Sequence, residues 1–451
     1  MAATQRLAER IANSRYETIP EGAREVAKQA ILDFIGVTLA GADEPLARIL
    51  RAEAADEGSR AETQIFGTAE RASPRQSALI NGAAGHAHDY DDVHTAMSGH
   101  PTVPVAPAAL ALAEQLGKSG RETIAAFATG VDVECILGRY AGPAHYAAGW
   151  HNTGTLGSFG AAAAAANLLG LDAHTTNQAL GIAGTQAAGL KCQFGTMCKP
   201  LHAGQAAATG LSAANLARRG FSSCEDILET TQGFMATQSA SSSVERFEQA
   251  LETPAFAQDI CFKYHAACYL THSAIEATLE LCQRNAFAPG DIEAVEVRVD
   301  KGHFGVCNIA EPSTGLQAKF SLRLTTAMAL NGIDTSSIAI FDDALTRDPV
   351  LTAFRDKVQV VAHTEQNPDT IVTIRTRDGS QHTAAVNVAI PMRDLAAQWD
   401  KLESKFHTLA APVLGSEGAV AVAQMCRTLE TQDNLQVFCR SLASVQRDWT
   451  Q

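Results

Sequence analysis

The chain has 451 residues, 46% hydrophobic and 19% charged, a balance that excludes a disordered protein and exceeds what one hydrophobic core supports. With 49 acidic against 35 basic side chains its formal net charge is −14, which excludes nucleic acid as the main partner and requires that any anionic ligand meet a local positive pocket. Ten cysteines without a CxxC pair read as reduced, small apolar residues of a cytoplasmic protein, and MAATQRLAERIANSRYETIPEGA lacks the apolar core of a signal peptide, so neither secretion nor membrane spanning is expected.

Helical periodicity begins at 24–40, with Gly41 as the expected C-cap. It continues at 76–87, 104–118, 120–140, 153–170, 174–190 and 200–219, Ala-rich segments separated by Gly, Pro or polar turns. Two of these, around SFGAAAAAANLL and HAGQAAATGLSAANLA, carry small residues on nearly every face and are expected at the centre of a helical domain, where helix axes approach closely. Near residue 285 the period changes to two. DIEAVEVRVD, KVQVVAHT and TIVTIRT alternate as half-buried strands, and Asp378-Gly379 marks a hairpin turn before HTAAVNVAI. Helices are predicted between them at 316–331 and 346–355, and again after Pro391. The fold class is therefore mainly α with α+β: an all-helical domain from 1–268 and 389–451, and a smaller α+β domain at 269–388.

The stretch from Asn81 to Pro101, NGAAGHAHDYDDVHTAMSGHP, concentrates His86, His88, His94, His100, Asp89, Asp91 and Asp92 in an otherwise apolar chain. Burying such groups is costly unless they are paired, whereas a site that moves protons needs them. Metal ligation by His86-x-His88 or Asp89-x-Asp91-Asp92-x-His94 is disfavoured because adjacent carboxylates at this spacing point in different directions, and Asp91 and Asp92 are candidate helix caps. His151 in GWHNTG lies just before a helix with Asn152 or Thr153 as its cap, where the positive helix end favours a neutral imidazole acting as base. Lys199 precedes Pro200, the favoured first residue of a helix, so an ammonium and free N–H groups form an anion site suited to a carboxylate.

Taken in order, LDFIGVTLAG, NGAAGHAHDYDDVH with GHP, HNTGTLGSFGAAAAAANLLGL, KPLHAGQAAATGLSAANLARRGF, FKYHAACYLTHSAIEA, AKFSL and the late Lys405-Phe406 resemble the MmgE/PrpD family of 2-methylcitrate dehydratases, cis-aconitate decarboxylases and iminodisuccinate epimerases. The resemblance implies a helical domain built from both chain ends, an inserted α/β lid, a catalytic cleft at their junction, a homodimer, and chemistry without metal or organic cofactor. It places Asp89, His100, His151, Lys199 and Lys263 at catalytic positions. Lys199 and Lys263 are then expected to hold a small anionic carboxylate substrate, with His94, His265, Cys268 and His272 as further substrate contacts. Cys268 stands where the decarboxylases carry a histidine, so His265 or His272 would substitute, and Leu324 stands where they carry a tyrosine.

The shared chemistry implied is removal of a proton next to a carboxylate. A dehydratase-type lyase is the preferred expectation and an epimerase the alternative. A decarboxylase, a metal-dependent hydrolase and a catalytically silent relative stand further back.

Overall fold

Six consecutive alanines, Ala161 to Ala166, are all fully buried. Side chains this small leave nothing to fill the space between helices except the neighbouring backbones, so helices around this segment meet at close range. The computed structural model describes residues 2–285, 287–288 and 290–444. The chain divides into two units, one from 1–262 with 391–451 and one from 263–390.

In the first unit the main helices are α1 (Glu21–Gly41), α2 (Pro74–Gly85), α3 (Thr102–Leu116), α4 (Gly120–Ala141), α5 (Asn152–Leu168), α6 (Ala173–Gly184) and α7 (Cys198–Arg218). Helix α7 packs on both α2 and α5. A Cβ built on Gly204 would lie 2.1 Å from the Leu79 carbonyl oxygen, and one on Gly210 would lie 2.3 Å from the Ala162 nitrogen. These contacts bring three helix ends together: the C-terminus of α2 and the N-termini of α5 and α7.

Gly41 does not cap α1 as expected. The helix runs through it to Ala42, and the glycine is needed because a Cβ there would sit 2.0 Å from the Ala84 carbonyl oxygen. Helix α6 stops at Gly184 rather than near residue 190.

In the second unit, α8 (Tyr269–Asn285) and α9 (Leu322–Leu330) pack on strands β1 (Ile292–Val299), β2 (Val358–Ala362), β3 (Thr370–Thr376) and β4 (Gln381–Val386). The order is β2-β1-β3-β4, with β1 parallel to β2 and antiparallel to β3, and β3 antiparallel to β4. The period of two puts Val295, Val297 and Val299 on the core face, against Leu281, Leu322 and Phe354. Gly379, at φ +88°, makes the turn between β3 and β4. The helix predicted at 316–331 is split, because the Ser321 hydroxyl accepts from Leu324 N and starts α9 anew. Lys263 to Cys268 belong to this unit rather than to the helical domain: Ala266 N donates to Thr335 O at 2.8 Å and Cys268 N to Lys319 O at 2.9 Å.

The chain then returns to the first unit as α10 (Leu395–Arg427), where the two predicted segments join across Gly415 at φ +74°. This helix is long and apolar enough to cross a membrane by length and composition. It packs on α1, with the Phe406 ring 3.1 Å from where a Cβ of Gly36 would stand. Lys405, buried with Asp33, sits 2.6 Å from its carboxylate and donates to the Tyr90 carbonyl at 2.8 Å. The two ends of the chain are thus tied directly beneath the segment rich in histidine and aspartate.

Candidate active site

Helix α2 ends at His86, and the chain then folds through 87–101 before α3 begins. Within this segment Asp89 has φ +52°, a left-handed conformation that Asp tolerates better than most residues. Its carboxylate accepts from Lys199 Nζ at 2.8 Å, and the same oxygen lies 3.5 Å from His100 Nε2. Lys199 is the second residue of α7, because the helix starts at Cys198 rather than at Pro200. The ammonium therefore stands in the first turn of the helix, but the free N–H groups expected beside it are taken: Cys198 N donates to Thr196 Oγ1, Lys199 N to the Thr196 carbonyl and Leu201 N to the Met197 carbonyl, and Pro200 has none.

Asp91 is buried between two imidazoles. His86 Nδ1 is 2.9 Å from both of its oxygens, while His100 Nδ1 comes within 3.0 Å of Oδ2, off the line of a well-formed hydrogen bond. Burial alone raises the Asp91 carboxyl, but the rings of His100 and His86 outweigh it and hold the group well below the usual carboxylate range. An ionised carboxylate only accepts, so the His86 Nδ1 bonded to it carries a proton and the His86 Nε2 is left as a lone pair when the ring is neutral. Burial, with Lys199 and His100 nearby, pushes His86 down to about 4 despite Asp91. Its Nε2 is buried with no hydrogen-bond partner among the described residues. The candidate cap is thus Asp92 and not Asp91: Asp92 accepts from both N and Oγ1 of Thr102 at the start of α3. Burial pushes the Asp92 carboxyl well up, with Asp33 and Asp91 adding to the effect.

His151 is itself the N-cap of α5, and its side chain caps nothing. Its ring stacks on His86 at 5.9 Å, meets Phe194 edge-on at 5.0 Å, and its Nδ1 lies 3.1 Å from Nδ1 of His202. Burial, then the neighbours His86, His100 and Lys199, drive its pKa far below the ordinary value. His202 was not singled out from sequence, although it lies one helical turn after Lys199 and so on the same face of α7. His86 and Asp91 were visible in the cluster, but spacing does not reveal their pairing.

His94 is no ligand contact. Its Nδ1 accepts from Ala96 N at 3.0 Å and its Nε2 donates to the Phe256 carbonyl at 3.0 Å, so both nitrogens are spent on the backbone. In the second unit, Lys263 is buried, His265 Nδ1 is 2.7 Å from Thr335 Oγ1 with its Nε2 3.3 Å from Glu276, and His272 Nε2 donates to the Ala267 carbonyl at 3.2 Å. Cys268 packs in the apolar core of that unit with Cys307, and Leu324 is fully buried.

One ligand atom each from His86, Asp89, Asp91 and His100 fall within 4.8 Å of one another, a set able to hold a divalent cation. A cation there would compete with Lys199 for Asp89 and with two imidazoles for Asp91.

A lysine at a helix start, two histidines around an ionised aspartate and a third stacked on one of them, held by a helical unit that accompanies a small mixed sheet, make an arrangement suited to moving protons on an anionic ligand. Residues 5–246 match the MmgE/PrpD N-terminal domain and residues 265–431 the MmgE/PrpD C-terminal domain, and the chain belongs to this family of carboxylate-acting enzymes. It is 27% identical over 439 residues to cis-aconitate decarboxylase of Homo sapiens, covering 91% of this chain and 88% of that one. Identity to the enzyme of the same name from Mus musculus is 26%, with coverage of 97% and 93%, and to that of Aspergillus terreus 29%, with coverage of 89% and 88%.

Proposed function

We propose that this protein is a lyase that removes the proton next to a carboxylate of a small di- or tricarboxylic acid and expels a β-hydroxyl as water. The observation that carries this reading is the Asp91–His100 pair beside Lys199. With Asp91 behind its Nδ1, His100 offers Nε2 as the base, and the imidazolium formed by proton transfer is stabilised by the aspartate it faces. Lys199 takes a substrate carboxylate, which must share the ammonium with Asp89. As the C–H bond breaks, its electron pair forms the new C=C bond and the β C–O bond breaks. The hydroxide leaves as water, taking back from His100 Nε2 the proton that the imidazole had removed, so that the ring ends the cycle neutral. Lys263 is the second lysine expected to bind a carboxylate, from the resemblance of FKYHAACYLTHSAIEA to the family.

Decarboxylation of a cis-aconitate-like acid is the second reading, favoured by the names of the relatives. Against it stands Cys268, buried in an apolar cluster at the position where those enzymes are expected to carry a histidine. The test is a panel of polycarboxylic acids incubated with the protein in D2O and followed by NMR. An unsaturated product formed with loss of water supports the dehydratase, and loss of carbon dioxide replaces it with the decarboxylase. Deuterium entry at the α-carbon with inversion and no net loss would make the protein an epimerase. No exchange on any member would sink all three.

A further inference from the structure

The Nδ1 atoms of His151 and His202 are 3.1 Å apart, and only one proton fits between them. One ring must donate and the other accept, so the two imidazoles hold opposite tautomers. The pair is closed in by the backbone: His151 N donates to the Gly189 carbonyl at 3.0 Å, and a Cβ on Gly189 would lie 3.3 Å from the His202 ring and 3.6 Å from His151 Cβ. His151 is buried while His202 is half-buried, and both are pushed down from the ordinary imidazole value by burial. His86, His100 and Lys199 further oppose a charge on His151. A ring that resists a second proton is a poor base, but with its proton on Nε2 it is a good neutral donor. The base is already supplied by His100, whose Nδ1 faces Asp91.

We infer that His202 is a positioning residue whose Nδ1–H donates to His151 Nδ1, holding His151 as the Nε2–H tautomer so that it donates a hydrogen bond to the substrate carboxylate as the α-proton leaves. This assigns His151 the part of a neutral donor in place of the base expected from its position at a helix start. Negative charge builds on that carboxylate in the transition state, so a fixed donor there lowers the barrier more than it strengthens ground-state binding. The inference rests on the proton-transfer reading above.

The test begins with the full-length protein labelled with 15N-histidine, without substrate. Long-range 1H–15N correlations, assigned with His151→Gln and His202→Asn, should show His151 protonated at Nε2 and His202 at Nδ1. His202→Asn places an amide donor near the position of Nδ1, and should keep the His151 tautomer and hold kcat within about threefold of the native value. His202→Asp can only accept. It should move the His151 proton to Nδ1 and lower kcat by about tenfold or more with KM within about twofold. A His151 proton on Nδ1 in the native protein overturns the inference, as does a His202→Asp variant with unchanged tautomer or unchanged kcat. If the Asp variant does not fold, the spectra of the native and Asn proteins decide. A native protein inert toward every polycarboxylate sinks the reaction assigned above, and the spectra still decide the histidine pair.

Discussion

Asp89 combines two demands on one residue, a left-handed backbone and a carboxylate on Lys199. Asparagine accepts the same backbone but carries no charge. Asp89→Asn should therefore melt within about 2 °C of the native protein while losing about a hundredfold or more in kcat/KM, as checked by calorimetry and steady-state kinetics. Equal activity would remove Asp89 from the chemistry. Glu134 carries a different kind of strain: both its carboxylate oxygens are buried without a hydrogen-bond partner among the described residues, against Gly157 and Gly160 of α5. Burial, reinforced by Asp92, pushes its pKa well above the ordinary value. For an acid raised in the folded state the unfolded chain ionises first. Stability is then full below the unfolded pKa and falls by about 1.4 kcal/mol per pH unit above it, until the native group also ionises. Glu134→Gln removes that slope, so denaturant titrations should show the variant gaining on the native protein from pH 5 to pH 8. A pH-independent difference would show that Glu134 is ionised in the fold. The sequence announced the density of titratable groups between His86 and His100, since little else explains it in an alanine-rich chain. It could not announce which imidazole meets Asp91, nor that His94 spends both nitrogens on the backbone, because those outcomes depend on how the loop turns at Asp89.

At the scale of elements, site geometry depends on how closely α2 and α7 approach. Their crossing at Gly204 sets the distance between the segment after α2, which carries Asp89, and the first turn of α7, which carries Lys199. A methyl group on Gly204 would meet the backbone of Leu79, which cannot rotate away. Gly204→Ala should destabilise by about 1–3 kcal/mol and weaken substrate binding as the helices part. Gly22→Ala serves as the control, because no atom lies within 4 Å of the added carbon and the substitution should stabilise α1 by about 0.5–1 kcal/mol. If both substitutions behave alike, close packing does not set the site. The helices were legible from period and composition, and the strands from alternation. Their ends were less so: α1 continues past Gly41 because that glycine serves a helix contact, and α9 restarts at Ser321 because a single hydroxyl caps it. Both decisions are tertiary or local hydrogen-bonding events that an apolar pattern does not encode.

At the scale of the whole molecule, a formal charge of −14 opposes the approach of the polyanion that the site is proposed to bind. The repulsion acts over the Debye length, about 30 Å at 10 mM salt and about 8 Å at 150 mM, whereas the contact between a substrate carboxylate and Lys199 acts at hydrogen-bonding range and is screened far less. Added salt should then relieve the repulsion before it weakens the binding. For a tricarboxylate, kcat/KM should rise over that salt range and level off, with kcat nearly constant, the reverse of electrostatic steering by a complementary surface. A dicarboxylate carries less charge and should show a smaller rise. If kcat/KM falls with salt instead, the field at the mouth of the site is positive in spite of the net charge. Lys199 would then act with other cations, and substitution of Lys199 and of Lys263 in turn would show which of them sets the slope.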